Sequence, residues 1–348
     1  MQRWIIAVLA GVLLAPLPLH AQQVSPQQLQ ALARHTQDLQ AVYAQGLEIS
    51  MEMDAAEALI DSYVAGQVPE AEMRGRVADV RANVTGAIGA YEAAIDALPP
   101  RPRIGDPKRD QGLAAFEDMV RGLTANLTAQ WRLLERLVDT AASGDRTAYD
   151  RASADSLALA GTLIDAENTA IEAALLGANP GHPQRGLYHA SIGSNLAVRA
   201  ALILLEDSLR GGRTRVADAR AAIERGLERA ETGIENGRRD ADAMLARLGN
   251  GPARTESDRL GKQFIEDLVA GYHRAFDDET RIVAAMRGFL DNLLAAAEAP
   301  KSEADDRLTV AARTFQVEIV ALIDARLAGQ TRRLQLVEAF SAALAATQ

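Results

Sequence analysis

The sequence predicts an all-α protein made of long antiparallel helices, arranged as two tandem up-down bundles of about four helices each. Three observations carry that reading. Ala, Leu, Arg and Glu dominate the 348 residues, with 68 Ala and 34 Arg, while aromatics make up only 4%, a composition rich in strong helix formers. Apolar residues recur at steps of three and four, the period of one helix face. Clusters of Gly, Pro, Asn and Asp punctuate the chain at helix-length intervals. No stretch alternates with the period of a strand.

The elements follow in order. Residues 1–21, MQRWIIAVLAGVLLAPLPLHA, have Arg3 as a positive n-region and an apolar run from Trp4 to Ala15. Pro16 and Pro18 break that run, and Ala21 is a small residue for cleavage. The pattern predicts a secretory signal peptide, since a bilayer span needs about 20 apolar residues. A mature chain would then begin at Gln22, placed in the periplasm or secreted. No Cys follows the cleavage point, so a lipoprotein anchor is excluded.

The first mature helix has its seam at Leu29, Leu32, Thr36, Leu39, Tyr43 and Leu47 and continues through Met53, Ile60 and Val64. About 40 residues at ~1.5 Å each make it about 60 Å long. Gly66-Gln67-Val68-Pro69 ends it, and Pro99-Pro100-Arg101-Pro102 ends the second. The third has apolar residues at Leu113, Phe116, Val120, Leu123, Leu127, Trp131, Leu134 and Val138, all on one stripe. Ser143-Gly144-Asp145 separates it from the fourth, with Asp145 a candidate N-cap. The fourth carries small inward residues at Ala152, Ser156, Ala160 and Ala170. The strongest punctuation, residues 177–183 (GANPGHP), divides an N-terminal bundle at 22–178 from a C-terminal one at 184–348. Gly211-Gly212, Gly249-Asn250-Gly251-Pro252 and Pro300-Lys301-Ser302 break the second half into four more helices. Leu196 to Leu205 is the most apolar stretch and reads as a fully buried helix.

The halves resemble each other. Arg76-Val77-Ala78-Asp79-Val80-Arg81 recurs as Arg215-Val216-Ala217-Asp218-Ala219-Arg220, and Glu117-Asp118-Met119-Val120-Arg121-Gly122 as Glu266-Asp267-Leu268-Val269-Ala270-Gly271. Two hits in the same order, with aligned seams, suggest a duplicated module.

Composition narrows the function. A formal net charge of −10 argues against a nucleic-acid partner, which needs a basic surface. With no Cys there is no disulfide framework, thiolate zinc site or Cys nucleophile. No histidine follows a Glu at the spacing of di-iron bundles, and His-Glu-x-x-His is absent. No nucleophile elbow or phosphate loop occurs. The reading is therefore a non-enzymatic protein without metal or cofactor.

Tyr188-His189 and Tyr272-His273 each pair an aromatic with a titratable ring near a seam, and together mark a candidate ligand pocket between helices. The plainer reading puts the tyrosine hydroxyls toward solvent and pairs His273 with Asp277 four residues on. Glu48, Glu52, Asp54, Glu57 and Asp61 cluster on the first helix and Asp277-Asp278-Glu279 on the seventh, as solvated charged faces. Arg238-Arg239 and Arg332-Arg333 would offer cationic surface to an acidic partner. The expectation is a binding, sensor or accessory module of the cell envelope, engaging a protein partner or holding a small ligand. The alternatives are a membrane-active helical protein, with Leu196 to Leu205 as the inserting segment, and a metal- or cofactor-dependent bundle enzyme.

Overall fold

The computed structural model describes residues 26–103, 105–212, 215–248, 253, 255–299, 322, 325, 328–340 and 342–343. The signal segment and the breaks at 249–252 and 300–302 lie outside the described residues. The helices are α1 (Pro26–Val64), α2 (Glu70–Asp96), α3 (Pro107–Ser143), α4 (Arg146–Gly177), α5 (Gln184–Leu209), α6 (Val216–Ala246) and α7 (Glu256–Glu298); a further helix, α8, is described over 328–340. No strand occurs among the described residues. The fold is an all-α helical bundle.

Local chemistry sets the helix ends. Gly144, with φ 73°, closes α3 in the left-handed region, where a residue without Cβ is unstrained. The very next residue, Asp145, opens α4 by accepting the Ala148 N–H at 3.0 Å. Asp106 caps α3 in the same way through Lys108 N–H at 2.9 Å. Thr255 and Asp258 form a reciprocal capping box at the start of α7, satisfying two otherwise orphaned donors.

Among α1–α7, consecutive helices approach backbone to backbone, and so do α1 with α3 and α5 with α7. Three helices thus meet mutually at each end of the chain's order, and α4 joins them by packing on both α3 and α5. The Gly/Pro loop at 178–183 is present, but the buried apolar cluster runs on across it, from Leu39 and Tyr43 through Leu157 and Leu202 to Phe276 and Leu290. The α3 stripe is buried at Phe116, Val120, Leu123, Leu127, Leu134 and Val138, with Leu113 and Trp131 partly covered.

The apolar segment Leu196 to Leu205 departs from its expectation. Ala197, Val198, Ala201, Leu202 and Leu204 are buried, but Leu196 is 40% and Ile203 45% exposed. They lie seven residues apart, on one outward stripe, because α5 meets helices on its other sides and leaves that strip bare.

The closest packing is between α5 and α6. Gly186, Ala190, Gly193 and Ala197 face Gly226, Ala230, Gly233 and Gly237, two stripes with steps of four, three and four. A Cβ on Gly193 would stand 2.5 Å from the Gly226 carbonyl oxygen, one on Gly226 2.6 Å from Ala197 N, and one on Gly233 2.7 Å from Ala190 N. These are backbone atoms, so nothing can swing aside. The α3–α4 pair repeats the device, where a Cβ on Gly112 would lie 2.9 Å from Ala174 Cα and one on Gly177 3.1 Å from Arg109 Cα.

Gly193→Ala and Gly89→Ala should therefore move stability in opposite directions. A Cβ on Gly89 meets nothing within 4 Å, so that change should stabilise by about 0.5–1 kcal/mol through lower unfolded-chain entropy. Gly193→Ala should destabilise by about 1–3 kcal/mol through overpacking. Urea unfolding of the two variants against wild type checks both signs.

Candidate functional site

Two polar stripes face neighbouring helices, both on the four-three-four spacing that keeps residues on one helix face; the first runs from buried Ser50 and Asp54 through half-buried Glu57 to exposed Asp61. On α1 they are Ser50, Asp54, Glu57 and Asp61. The Ser50 hydroxyl donates to Gln130 Oε1 at 2.7 Å, and Gln130 Nε2 donates to Asp54 Oδ1 at 2.9 Å. Ser156 Oγ reaches Glu57 Oε2 at 3.5 Å, and the Tyr149 hydroxyl donates to Asp61 Oδ1 at 2.5 Å. Helices α3 and α4 thus read one acidic face of α1 through hydroxyl and amide groups. Burial pushes the Glu57 carboxyl up to about 8, and the neighbouring Asp61 and Asp54 carboxylates push the same way. Burial, then Asp61, also raises the Tyr149 phenol above its ordinary value. The expected solvated face is thus half right: Glu48 is exposed, but Asp54 is buried and Glu57 partly so.

The second stripe is Gln184, Tyr188, Ser191 and Asn195 on α5, all buried. Tyr272 of α7 is fully buried and its hydroxyl donates to Gln184 Oε1 at 3.3 Å. The His182 ring meets the Tyr272 ring edge-on at 5.8 Å, and His182 Nδ1 accepts the Gln184 N–H at 3.2 Å. The Arg333 guanidinium of α8 lies 5.8 Å from the Tyr272 ring centre and donates to the Gly271 carbonyl at 3.3 Å, a buried cation–π contact. Burial raises both phenols; for Tyr188 the neighbouring Tyr272 adds to it. At the other end, Asn195 Nδ2 donates to Asn168 Oδ1 of α4 at 3.0 Å.

Of the four pocket residues expected from sequence, the structure brings Tyr188 and Tyr272 into one buried cluster and leaves the histidines out of it. The tyrosine hydroxyls do not reach solvent, because α5, α7 and α8 close over them. His273 pairs with Asp242 of α6 at 3.1 Å, not with Asp277, whose carboxylate is taken by Arg238 at 2.7 Å. His189 is half-buried, and burial followed by the charges of Arg229 and Arg185 lowers its pKa. Sequence reasoning passed over Gln184 and His182 and put Arg333, which is buried, on an outward cationic face; these three groups complete the cluster. The available signal was the spacing of Gln184, Tyr188, Ser191 and Asn195, the mark of a helix buried on more than one face.

A third feature faces outward. An open groove of about 490 Å³ lies between α6 and α7, lined by Glu231, Ile234, Glu235, Arg238, Val283, Ala284, Arg287 and Asp291, among others. Its floor is apolar and small, and nothing lies within 4 Å of a Cβ built on Gly288. Arg287 is held by Glu224 at 3.0 Å and Glu231 at 2.8 Å, and Arg238 by Asp277. Both guanidiniums of the groove are thus neutralised within the protein, whereas Glu235 and Asp291 have no partner among the described residues.

No group of three or more His, Asp or Glu side chains at metal-binding distance occurs among the described residues, and none of the described helices is long and apolar enough to cross a membrane. Comparison with protein-family models, curated proteins and solved structures finds no match.

Replacing Glu57 by Gln tests the acidic stripe. In the folded chain Glu57 keeps its proton up to about pH 8, against an ordinary value of 4.5. Folded protein therefore binds more protons than unfolded between those limits, and this contribution to stability is lost as pH rises. Glu57→Gln should gain stability over wild type progressively from pH 5 to pH 8, read from urea midpoints. In the α5–α7 cluster, Tyr272→Phe should lose about 1–2 kcal/mol by leaving the buried Gln184 oxygen without its donor. His273→Ala, at a surface pair, should stay within about 0.5 kcal/mol.

Proposed function

We propose that this is an exported, non-enzymatic helical-bundle protein that works by binding, as an accessory or sensor module of the cell envelope or the secreted fraction. The α6–α7 groove is its binding surface. The observation that carries this reading is the groove's combination of features: an apolar floor of ligand-binding size, two guanidiniums already paired internally, and two carboxylates left over. Such a surface attracts a cationic partner, a basic protein segment laid along the groove, with electrostatics setting encounter and orientation.

Of the Arg-rich faces expected to meet an acidic partner, Arg239 and Arg332 stay exposed, while the other two arginines are engaged. Arg333 of α8 is buried against Tyr272 and Gly271 of α7, and Arg238 is tied to Asp277 and to the Thr280 hydroxyl. Neither is a spare cation. In the same reading residues 1–21 direct export and are removed.

The test is fluorescence anisotropy with a Lys/Arg-rich amphipathic helical peptide and an acidic peptide of equal length. The basic peptide should bind in a salt-sensitive manner and the acidic one should not. The double variant Glu235→Lys/Asp291→Lys should lose at least about tenfold in affinity, ~1.4 kcal/mol, with its helical circular dichroism unchanged. Equal affinity for both peptides, or no loss in the variant, would end the groove assignment. Cell fractionation with N-terminal sequencing tests export, with Gln22 the expected first residue.

A further inference from the structure

Apart from the groove and the two polar stripes, a single histidine sits deep in the α1–α3 contact. His35 is 1% exposed, and neither ring nitrogen has a hydrogen-bond partner among the described residues. Its nearest charged neighbour is Glu117 of α3, with Nε2 to Oε2 at 3.7 Å. That carboxylate is already engaged by two guanidiniums, Arg121 of α3 at 2.9 Å and Arg101 of the α2–α3 connection at 3.7 Å. Asp38 of α1 is the other acid acting on the ring. Arg34, the preceding residue, faces outward and pairs with Glu338 of α8 at 3.3 Å.

The consequence follows from charge and burial. A neutral imidazole fits this place as a flat, largely apolar ring. A protonated one adds a third cation to a site where Arg101 and Arg121 are already balanced by Glu117 and Asp38, and at 3.7 Å its Nε2 stands outside hydrogen-bond distance of Glu117 Oε2. We infer that His35 is an acid-sensitive latch: its protonation loosens the N-terminal part of α1 from α3 while the remainder of the bundle stays folded. This is independent of the α6–α7 groove, which lies on other helices.

The pKa direction agrees. Burial holds His35 below its ordinary 6.5; Glu117 and Asp38 oppose this, and Arg101 and Arg121 reinforce it. As pH falls through 6.5 the unfolded chain takes up a proton that the folded chain refuses, so stability is lost on the acid side.

Three readouts on the full chain test the latch. The His35 imidazole, assigned in wild type through its backbone resonances, should titrate below 6.5, and lower still in Glu117→Gln. The urea midpoint of His35→Gln relative to wild type should rise as pH falls from 7.5 to 5, a difference from which the opposite Glu57 contribution, common to both proteins, cancels. Amide protection, corrected for intrinsic exchange, should drop at pH 5 around residues 30–40 and persist around Met53 and Ile60. A His35 titration at or above 6.5, or uniform protection along α1 at pH 5, overturns the proposal even where the His35→Gln variant does not fold.

Discussion

The backbone-to-backbone contact of α5 with α6 is the constraint on which the rest of the C-terminal helices depend. Eight positions on two helices are Gly or Ala, and at Gly186, Gly193, Gly226 and Gly233 a Cβ would meet main-chain atoms. Close approach of this kind gains dispersion contacts along the whole interface, but it buries little side-chain area. Helix α5 must therefore find its apolar burial elsewhere, and it does so by packing against α4 and α7 as well. The same contact locates α6 relative to α7, because at Gly237 the Phe276 ring of α7 packs into the same gap that Gly186 of α5 lines. The width of the outward groove is thus set by glycines that do not line it.

A helix enclosed on several sides has more inward positions than a simple amphipathic pattern supplies, and in both α1 and α5 the additional ones are polar. Polar groups in such places are tolerable only when paired, and the pairing here is between helices: α1 with α3 and α4, α5 with α4 and α7. Those bonds contribute modestly to net stability. Their larger effect is on register. Sliding α7 by one turn against α5 would separate Tyr272 from Gln184, and a comparable slip of α3 against α1 would break the chain of bonds from Ser50 through Gln130 to Asp54. Seams made of small residues restrain axial sliding weakly, so these directional bonds supply what side-chain interdigitation would supply in a larger-residue core.

This division explains what was legible in the sequence. The all-α class, the helix limits at 64, 96, 143 and 177 and the cap at Asp145 depend on local chemistry, which a single sequence carries in full. The apolar stripe of α3 was legible for the same reason. Which carboxylate of α1 turns inward was not, since Glu48 and Glu57 look alike until α3 and α4 are placed around them. Tyr188 and Tyr272 were legible as a pair, but the third and fourth members of their cluster come from a loop and from α8, more than 60 residues beyond Tyr272. The Arg-rich faces were legible only in part: Arg239 and Arg332 are exposed, but a cation's availability depends on partners across helix contacts, as with Arg238 and Asp277.

The two titratable groups inside α1 act in opposite senses, and their positions matter more than their sum. His35 stands near the start of the helix and Glu57 near its end, about six turns apart. Acidification adds a cation beside Arg101 and Arg121 at the first site, while at the second it leaves in place a proton that the folded carboxyl already prefers to hold. Acid therefore weakens α1 at one end only. In alkaline solution the order inverts: the His35 contact is at full strength, and the Glu57 carboxylate becomes the charge that the core must accommodate beside Asp54 and Asp61.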